Sequence, residues 1–251
     1  MNMSTVFDFL FEILFFGVVI GIVASLLSSG IWWWATHKKK WANIKFSNCL
    51  QIKPVEFSDL PGKYQIAFKI ANIGSSDFEQ VNLDAKLAVR VKGRGLQNAY
   101  LAVGWGGNYV NRLWGQKNIK RVNGEPNKYT FILPIYLSDQ AFSRFSGTMF
   151  MEDIKQKAER KELSLWDVFK AYPDEAHLTL FAYGYEVATG LRKTFESKRY
   201  TFNDIEALKF QGLSMRTEMP EKDKAHFAEA AQEVNDAKSS LKSIVAEELD
   251  E

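Results

Sequence analysis

The first apolar stretch of the chain is long and uninterrupted. Residues 13 to 35 form a run of 23 residues without a charged side chain. A helix rises about 1.5 Å per residue, so this run covers the ~30 Å hydrocarbon layer of a bilayer. The pattern therefore predicts a transmembrane helix over residues 13 to 35. A cleaved signal peptide is the alternative, but it requires a basic leader and a shorter apolar run, whereas Asp8 and Glu12 precede this one.

Beyond the apolar run the pattern changes to a period of two, which is typical of strands with one buried face. Asn123-Gly124 predicts a tight hairpin turn, and residues 188 to 190 predict another. Many short strands at this spacing predict a mainly β fold, an immunoglobulin-like antiparallel β-sandwich over residues 45 to 212. The predicted strands are residues 64–70, 81–91, the hairpin arms 117–122 with 128–137 and 177–187 with 191–200, and short strands within 44–52 and 100–105.

A helical insertion is predicted within the sandwich, over residues 151 to 172. Residues 151 to 162 resemble a charged surface helix, and Ser164 is placed to cap a second short helix that ends at Pro173. We expect this insertion to form a lid over one end of the sandwich.

An acidic C-terminal helix is predicted over residues 218 to 251, where 4 Lys+Arg stand against 10 Asp+Glu. Apolar residues recur there at alternating spacings of three and four, which predicts a short coiled-coil seam through which the helix associates with a copy of itself. The alternative is an amphipathic helix that lies on its own sandwich. The seam residues are Phe227, Ala230, Val234, Ala237, Leu241 and Ile244.

Positive charge around the span sets its orientation, because Lys and Arg resist translocation. Neither residue precedes the span, whereas Lys38, Lys39 and Lys40 follow it at once. The sequence predicts residues 1 to 12 outside, a basic juxtamembrane linker over residues 36 to 44, and a cytosolic body, as in a single-pass protein of the cell inner (plasma) membrane. The three lysines would also attract anionic lipids. Trp32, Trp33, Trp34 and Trp41 predict an interfacial belt beside them.

Small residues recur every four positions within the span, which places them on one ridge of the helix. Such a ridge lets helix backbones approach closely, so it predicts self-association or docking onto the helix of a membrane protein partner. The ridge residues are Gly17, Gly21, Ser25 and Ser29.

Composition and motifs disfavour several classes of functional site. A single cysteine, Cys49, excludes a disulfide framework, and three distant histidines disfavour a metal cluster. Residues 104 to 107 are glycine-rich but lack the Lys-Ser/Thr of a phosphate-binding loop, and no nucleophile elbow or zinc motif is present. We expect a protein that is not an enzyme, holds no cofactor or metal, and binds no nucleic acid, because no recognition motif accompanies its basic residues.

Three segments carry a resemblance to a known family: Phe68-Lys69-Ile70-Ala71-Asn72, residues 176 to 184, and residues 194 to 205. They resemble the cytoplasmic immunoglobulin-like domain of inward-rectifier potassium channels, the first its strand and turn and the other two its last strands. The likeness covers roughly residues 45 to 210. The resemblance implies a cytoplasmic ring, commonly a tetramer, that receives signals from lipid or ligands near the membrane. The chain has a single predicted span and no filter sequence, so the pore module of that family is missing.

These features support three hypotheses. The first is a membrane-anchored, self-assembling cytosolic sandwich that acts as a scaffold, sensor or regulatory subunit. The second is an oligomeric pore-forming or channel-type effector in which several spans surround an opening. The third is a lipid or ligand binding module that uses the helical insertion.

Overall fold

The computed structural model describes residues 3–38, 41–55, 62–93, 95–104, 109–115, 121–122, 125–126, 130–147, 150–212, 214–215 and 221–249. The chain divides into two compact units, Met1–Trp41 and Ala42–Glu251.

The first unit is one long helix, α1, over Met3–Lys38. It begins ten residues before the predicted span, because the residues that precede the span contain no proline or glycine to interrupt a helix. Within the described residues, one segment is long and apolar enough to cross a membrane: Ile13–Trp34, 22 residues with a mean hydropathy of 2.3. None of this segment is buried.

The second unit is mainly β and contains fourteen described strands and four described α-helices. Its strands are β1 Ile44–Phe46, β2 Leu50–Pro54, β3 Tyr64–Asn72, β4 Phe78–Val91, β5 Gly95–Val103, β6 Tyr109–Leu113, β7 Arg121–Val122, β8 Glu125–Pro126, β9 Thr130–Tyr136, β10 Ala176–Glu186, β11 Arg192–Glu196, β12 Ile205–Glu206, β13 Phe210–Gln211 and β14 Ser214–Met215. Its helices are α2 Asp139–Phe145, α3 Glu152–Glu159, α4 Leu165–Ala171 and α5 Glu221–Leu249.

Ten of these strands form one sheet in the order β11-β10-β4-β5-β9-β3-β2-β12, with β1 beside β3 and β6 beside β4. Strand β5 joins its two halves, because it pairs with β4 over most of its length and with β9 at Ala102 and Val103. The sheet curls into a half-barrel around one core, whose largest fully buried side chains include Trp166, Tyr200 and Phe68.

The predicted long strands at β3 and β4 are confirmed, but they do not pair with each other. Strand β3 pairs with β9, β2 and β1, whereas β4 pairs with β10, β5 and β6. The alternation of buried positions holds in β4 from Val81 to Leu87. It fails in β3, where eight of nine residues are buried, because helix α4 packs against this strand. The prediction of one buried face was therefore wrong for β3.

The two predicted hairpins have different outcomes. Strands β10 and β11 pair around the predicted turn, with Tyr185 opposite Arg192 and Phe181 opposite Glu196. At the other turn, β7 and β8 pair for two residues each, and residues 123 and 124 lie outside the described residues. The rest of the first predicted arm lies outside the described residues, and β9, within the second arm, pairs with β3 and β5.

The helical insertion is larger than predicted, since α2 precedes it. Ser164 caps α4 as expected: its hydroxyl accepts from the Asp167 amide, while the Asp167 carboxylate accepts from the Ser164 amide. Trp166 and Phe169 of α4 are buried, and the Trp166 ring stacks on Phe202 with a centroid distance of 5.4 Å. Helix α4 is therefore part of the core rather than a lid on its surface.

Helix α5 packs on β2 and β12 of its own chain. The predicted seam provides this contact: Phe227, Ala230 and Val234 are buried, and Ala237 and Leu241 are partly buried against the same core. The side chain of Ile244 lies outside the described residues. The packing follows the second of the two interpretations, in which the helix lies on its own domain, so this stretch of the seam is not open to a second copy.

Candidate functional site

Four of the predicted membrane-interface residues, Trp32, Trp33, Trp34 and Lys38, lie on α1. Trp32, Trp33 and Trp34 are exposed at the end of the apolar segment, and Trp41 is half-buried at the end of the first unit. Lys38 is the last residue of α1, and its side chain, together with Lys39 and Lys40, lies outside the described residues.

The predicted ridge is open. A methyl group added at Gly17 or Gly21 would meet no atom within 4 Å, and Ser25 and Ser29 are exposed on the same helix. The hydroxyl of Ser28 donates to the Ser25 carbonyl at 3.0 Å, a bond internal to the helix. A neighbouring helix could therefore approach the backbone at the two glycines without steric hindrance.

A cluster of buried polar side chains lies where the chain enters the β unit. We call Asn72, Asp77 and Glu186 the junction cluster, and all three are buried. They come from the end of β3, the loop before β4 and the end of β10. Because a buried polar group is costly without partners, each must be hydrogen-bonded.

Glu186 holds the first residue of the unit. Its carboxylate accepts from the Ala42 amide, from the Thr189 hydroxyl at 2.7 Å and from the Lys193 ammonium at 2.7 Å. Burial alone would raise the pKa of Glu186, but the bonds from Lys193, Thr189 and Ala42 outweigh burial and hold that pKa below its ordinary value. The side chain is therefore an anion at neutral pH that ties the start of the unit to the β10–β11 hairpin.

Asn72 holds the second residue. Its side-chain oxygen accepts from the amides of Asn43 at 3.1 Å and Gly74 at 3.0 Å. Its side-chain nitrogen donates to the carbonyls of Ser76 at 2.8 Å and Leu113 at 3.1 Å. All four hydrogen-bonding positions of the amide are used, which joins the start of the β unit, the loop before β4 and the end of β6.

Asp77 completes the cluster by binding the chain after β6. Its carboxylate accepts from the Gly115 amide at 2.8 Å. The close approach requires glycine, because a Cβ at position 115 would lie 2.4 Å from the Ser75 carbonyl oxygen. The backbone carbonyl of Asp77 also accepts from the Val187 amide at 3.0 Å, which links the loop before β4 to the β10–β11 turn.

An open cleft of about 790 Å³ lies between β6 and the ends of β5 and β9. Its polar wall contains Tyr109, Asn111 and Arg112. Arg112 pairs with the Glu79 carboxylate and lies 4.6 Å from the centre of the Trp114 ring. The charge of this arginine is therefore already balanced within the chain, which disfavours the cleft as a site for an anionic ligand.

No group of three metal-ligating side chains occurs within the parts of the chain that the structure describes. The one cysteine, Cys49, donates to Glu206 at 3.4 Å, and burial and this carboxylate raise the pKa of its thiol to about 11. At neutral pH the thiol is protonated and is a poor nucleophile.

Comparison with known proteins identifies no relative: no protein-family model matches the chain, and no curated protein sequence is significantly similar to it.

Sequence reasoning missed the junction cluster, although a signal for it was present. In β10 the inward positions are the even ones, and Glu186 follows Leu180, Ala182 and Gly184 in that series. In β3, Asn72 follows Phe68 and Ile70 in the same way. A polar residue at an inward position indicates a buried hydrogen-bond network.

Proposed function

We propose that this chain is a single-pass membrane protein whose β unit is held at the cytosolic face, assembles with copies of itself, and acts as a scaffold, sensor or regulatory subunit. The observation that carries the proposal is the apolar surface of α1. Between Ile13 and Trp34, 15 large apolar side chains are each at least 40% exposed.

Exposure of that surface to water would be too costly for the protein. At about 1.5 kcal/mol for each such side chain, transfer of this surface from water into an apolar phase is favourable by roughly 20 kcal/mol. A bilayer removes this cost. The tryptophans at one end of the segment favour the same location, because indole rings prefer the headgroup layer.

The proposed orientation and membrane rest on the distribution of charge in the sequence. Lys38, Lys39 and Lys40 favour a cytosolic β unit and an outside N-terminus, as in a protein of the cell inner (plasma) membrane, and they favour anionic lipids as neighbours. Membrane fractionation and protease protection test this arrangement. The β unit should remain in alkali-washed membranes and resist protease added outside intact cells. Recovery of the protein in the soluble fraction would refute the span, and digestion from outside would refute the orientation.

Assembly is proposed on the open ridge of Gly17, Gly21, Ser25 and Ser29, since the described part of the α5 seam is used within the chain. The resemblance to inward-rectifier cytoplasmic domains supports a tetrameric ring of immunoglobulin-like sandwiches. A strand that joins two halves of a curled sheet, as β5 does, is compatible with such a sandwich.

The ridge is tested by the mass of the detergent-solubilised oligomer. Gly17→Leu with Gly21→Leu should reduce the oligomer to smaller species, because leucine keeps helix backbones apart. Val19→Leu with Val23→Leu is the matched control, since these residues lie on another face with the same spacing, and it should leave the mass unchanged. Equal masses for all three proteins would refute the ridge. Ion flux from loaded liposomes would instead favour the pore-forming alternative.

A further inference from the structure

Three segments form one surface where the chain enters the β unit: residues 42–43, the turn 73–76 and the turn 187–191. We call this surface the junction face. The Ile73 amide donates to the Asn43 carbonyl at 2.8 Å, and the Ala188 amide donates to the Ser76 hydroxyl at 3.1 Å. The Ala42 amide donates to Glu186, next to the second turn. The two turns and residues 42–43 are therefore neighbours.

Large apolar side chains project from this face although the turns are otherwise polar. Ile73 is 39% exposed, Val187 is 50% exposed and Leu191 is 61% exposed. Turn tips usually carry small or polar residues, because they face water. Gly190, at a φ of +67°, supplies the left-handed position of the second turn, so neither Val187 nor Leu191 is required by the turn geometry.

The charges of the junction face are asymmetric. The two acidic residues that adjoin it in the sequence, Asp77 and Glu186, are buried in the junction cluster. Lys45 and Arg192 are exposed cations close to it in the sequence. The junction face therefore has exposed apolar side chains, adjacent cations and buried carboxylates. This combination suits contact with the headgroup layer of a phospholipid membrane, which takes up apolar side chains and attracts Lys and Arg.

The covalent chain keeps this face near the membrane. Four peptide steps separate Lys38, the last residue of α1, from Ala42. Fully extended, four residues span at most about 14 Å. If α1 crosses the bilayer with Lys38 at its surface, the junction face lies within a short distance of the headgroups whatever the tilt of the β unit.

We propose that the junction face docks on the phospholipid bilayer, with Ile73, Val187 and Leu191 inserted into its headgroup layer. The proposal rests on the membrane span proposed above and names a second, independent contact of the same chain with lipid. This contact limits the rotation of the β unit relative to the membrane plane.

The test uses full-length protein in nanodiscs of phosphatidylcholine and phosphatidylglycerol. Cys49→Ser removes the native thiol, and an environment-sensitive fluorophore is attached at a cysteine placed by Leu191→Cys, Leu96→Cys or Ile20→Cys. Leu96 is the matched control, a leucine 49% exposed that pairs with Arg90. Arg90 lies twelve residues along β4 from Phe78, so Leu96 is up to about 40 Å from the end of β4 that adjoins the junction face. Spin-labelled lipids then quench fluorophores that contact the bilayer.

The proposal expects blue-shifted emission and lipid quenching at position 191, quenching at position 20 inside the span, and neither effect at position 96. Adding Val187→Glu should abolish the quenching at position 191, because the change removes an apolar side chain and the anionic phosphatidylglycerol surface repels a carboxylate. Circular dichroism confirms that each protein is folded.

Other outcomes separate the two proposals. Quenching at position 20 without quenching at position 191 would overturn docking and leave the span intact. Absence of quenching at position 20 would overturn the span itself. A blue shift at position 191 without lipid quenching would place the turn against protein, such as a second copy of the chain, and would also overturn docking.

Discussion

Asn72 provides the most direct test of the junction cluster. The side chain is fully buried and makes four hydrogen bonds, two as acceptor and two as donor. Asn72→Ala leaves the amides of Asn43 and Gly74 without their acceptor and the carbonyls of Ser76 and Leu113 without their donor. Because the site is buried, water does not fully replace the four lost hydrogen bonds.

The expected cost follows from the burial of the four partners. The carbonyls of Ser76 and Leu113 belong to buried residues, and each costs about 1–2 kcal/mol when its hydrogen bond is lost. Asn43 is exposed and Gly74 is half-buried, so their amides cost about 0.5–1 kcal/mol each. The sum is about 3–6 kcal/mol, which is a large share of the ~5–15 kcal/mol that stabilises a typical domain.

Urea unfolding of the full-length protein in detergent, followed by the circular dichroism of its sheet, measures this cost. Asn82→Ala is the matched control, because the Asn82 side chain donates to the Gln80 carbonyl at 3.3 Å in a bond that is exposed to solvent. That change should cost less than about 0.5 kcal/mol. A loss below about 1 kcal/mol for Asn72→Ala, or equal losses for the two variants, would refute the role assigned to Asn72.

Three further changes test neighbouring features. The folded-state pKa of Glu186 lies below its ordinary value of 4.5, so the stabilising effect of this carboxylate is present at neutral pH and is lost as pH falls through the folded pKa. Glu186→Gln should lower the free energy of unfolding by about 1–3 kcal/mol at pH 7 and reduce the loss of stability in acid. Parallel curves of unfolding free energy against pH for the two proteins would contradict this. Gly115→Ala places a methyl group 2.4 Å from the Ser75 carbonyl oxygen and should cost about 1–3 kcal/mol in the same urea assay, and an unchanged midpoint would argue against that contact. Ala230→Glu buries a charge under α5 and should make the helix susceptible to limited proteolysis. Ala228→Glu, at an exposed position of the same helix, should not have this effect. Identical digestion of the two variants would show that the face of α5 containing Ala230 does not hold the helix on the β unit.

The sequence was most informative where structure is local. The alternation in β4, the β10–β11 hairpin and the Ser164 cap each depend on residues a few positions apart, and the structure contains all three. Helix α2 was missed although it is as long as α4 and Ser138 accepts from the Ala141 amide as its cap, because no proline marks its end as Pro173 marks the end of α4.

Pairings between distant segments could not be predicted in the same way. Nothing in β3 itself indicates β9 as its neighbour, since Phe68 opposite Leu133 is one apolar pair among many that the composition allows. The choice depends on the whole core, including α4, which packs against β3, a strand with eight of its nine residues buried. The candidate site shares this limit: Glu186 was detectable as an inward carboxylate, but its partner, the Ala42 amide, is 144 residues away.

The hydrogen bonds of Glu186 and Asn72 to the successive residues Ala42 and Asn43 have a mechanical consequence. Ala42 and Asn43 are held from two sides of the sheet, by the end of β10 and by the end of β3. A pull or twist that arrives along the backbone from the preceding helix is therefore shared between the two strands at the point of attachment. The load therefore reaches β10 and β3 before it reaches β1, which begins two residues after Ala42.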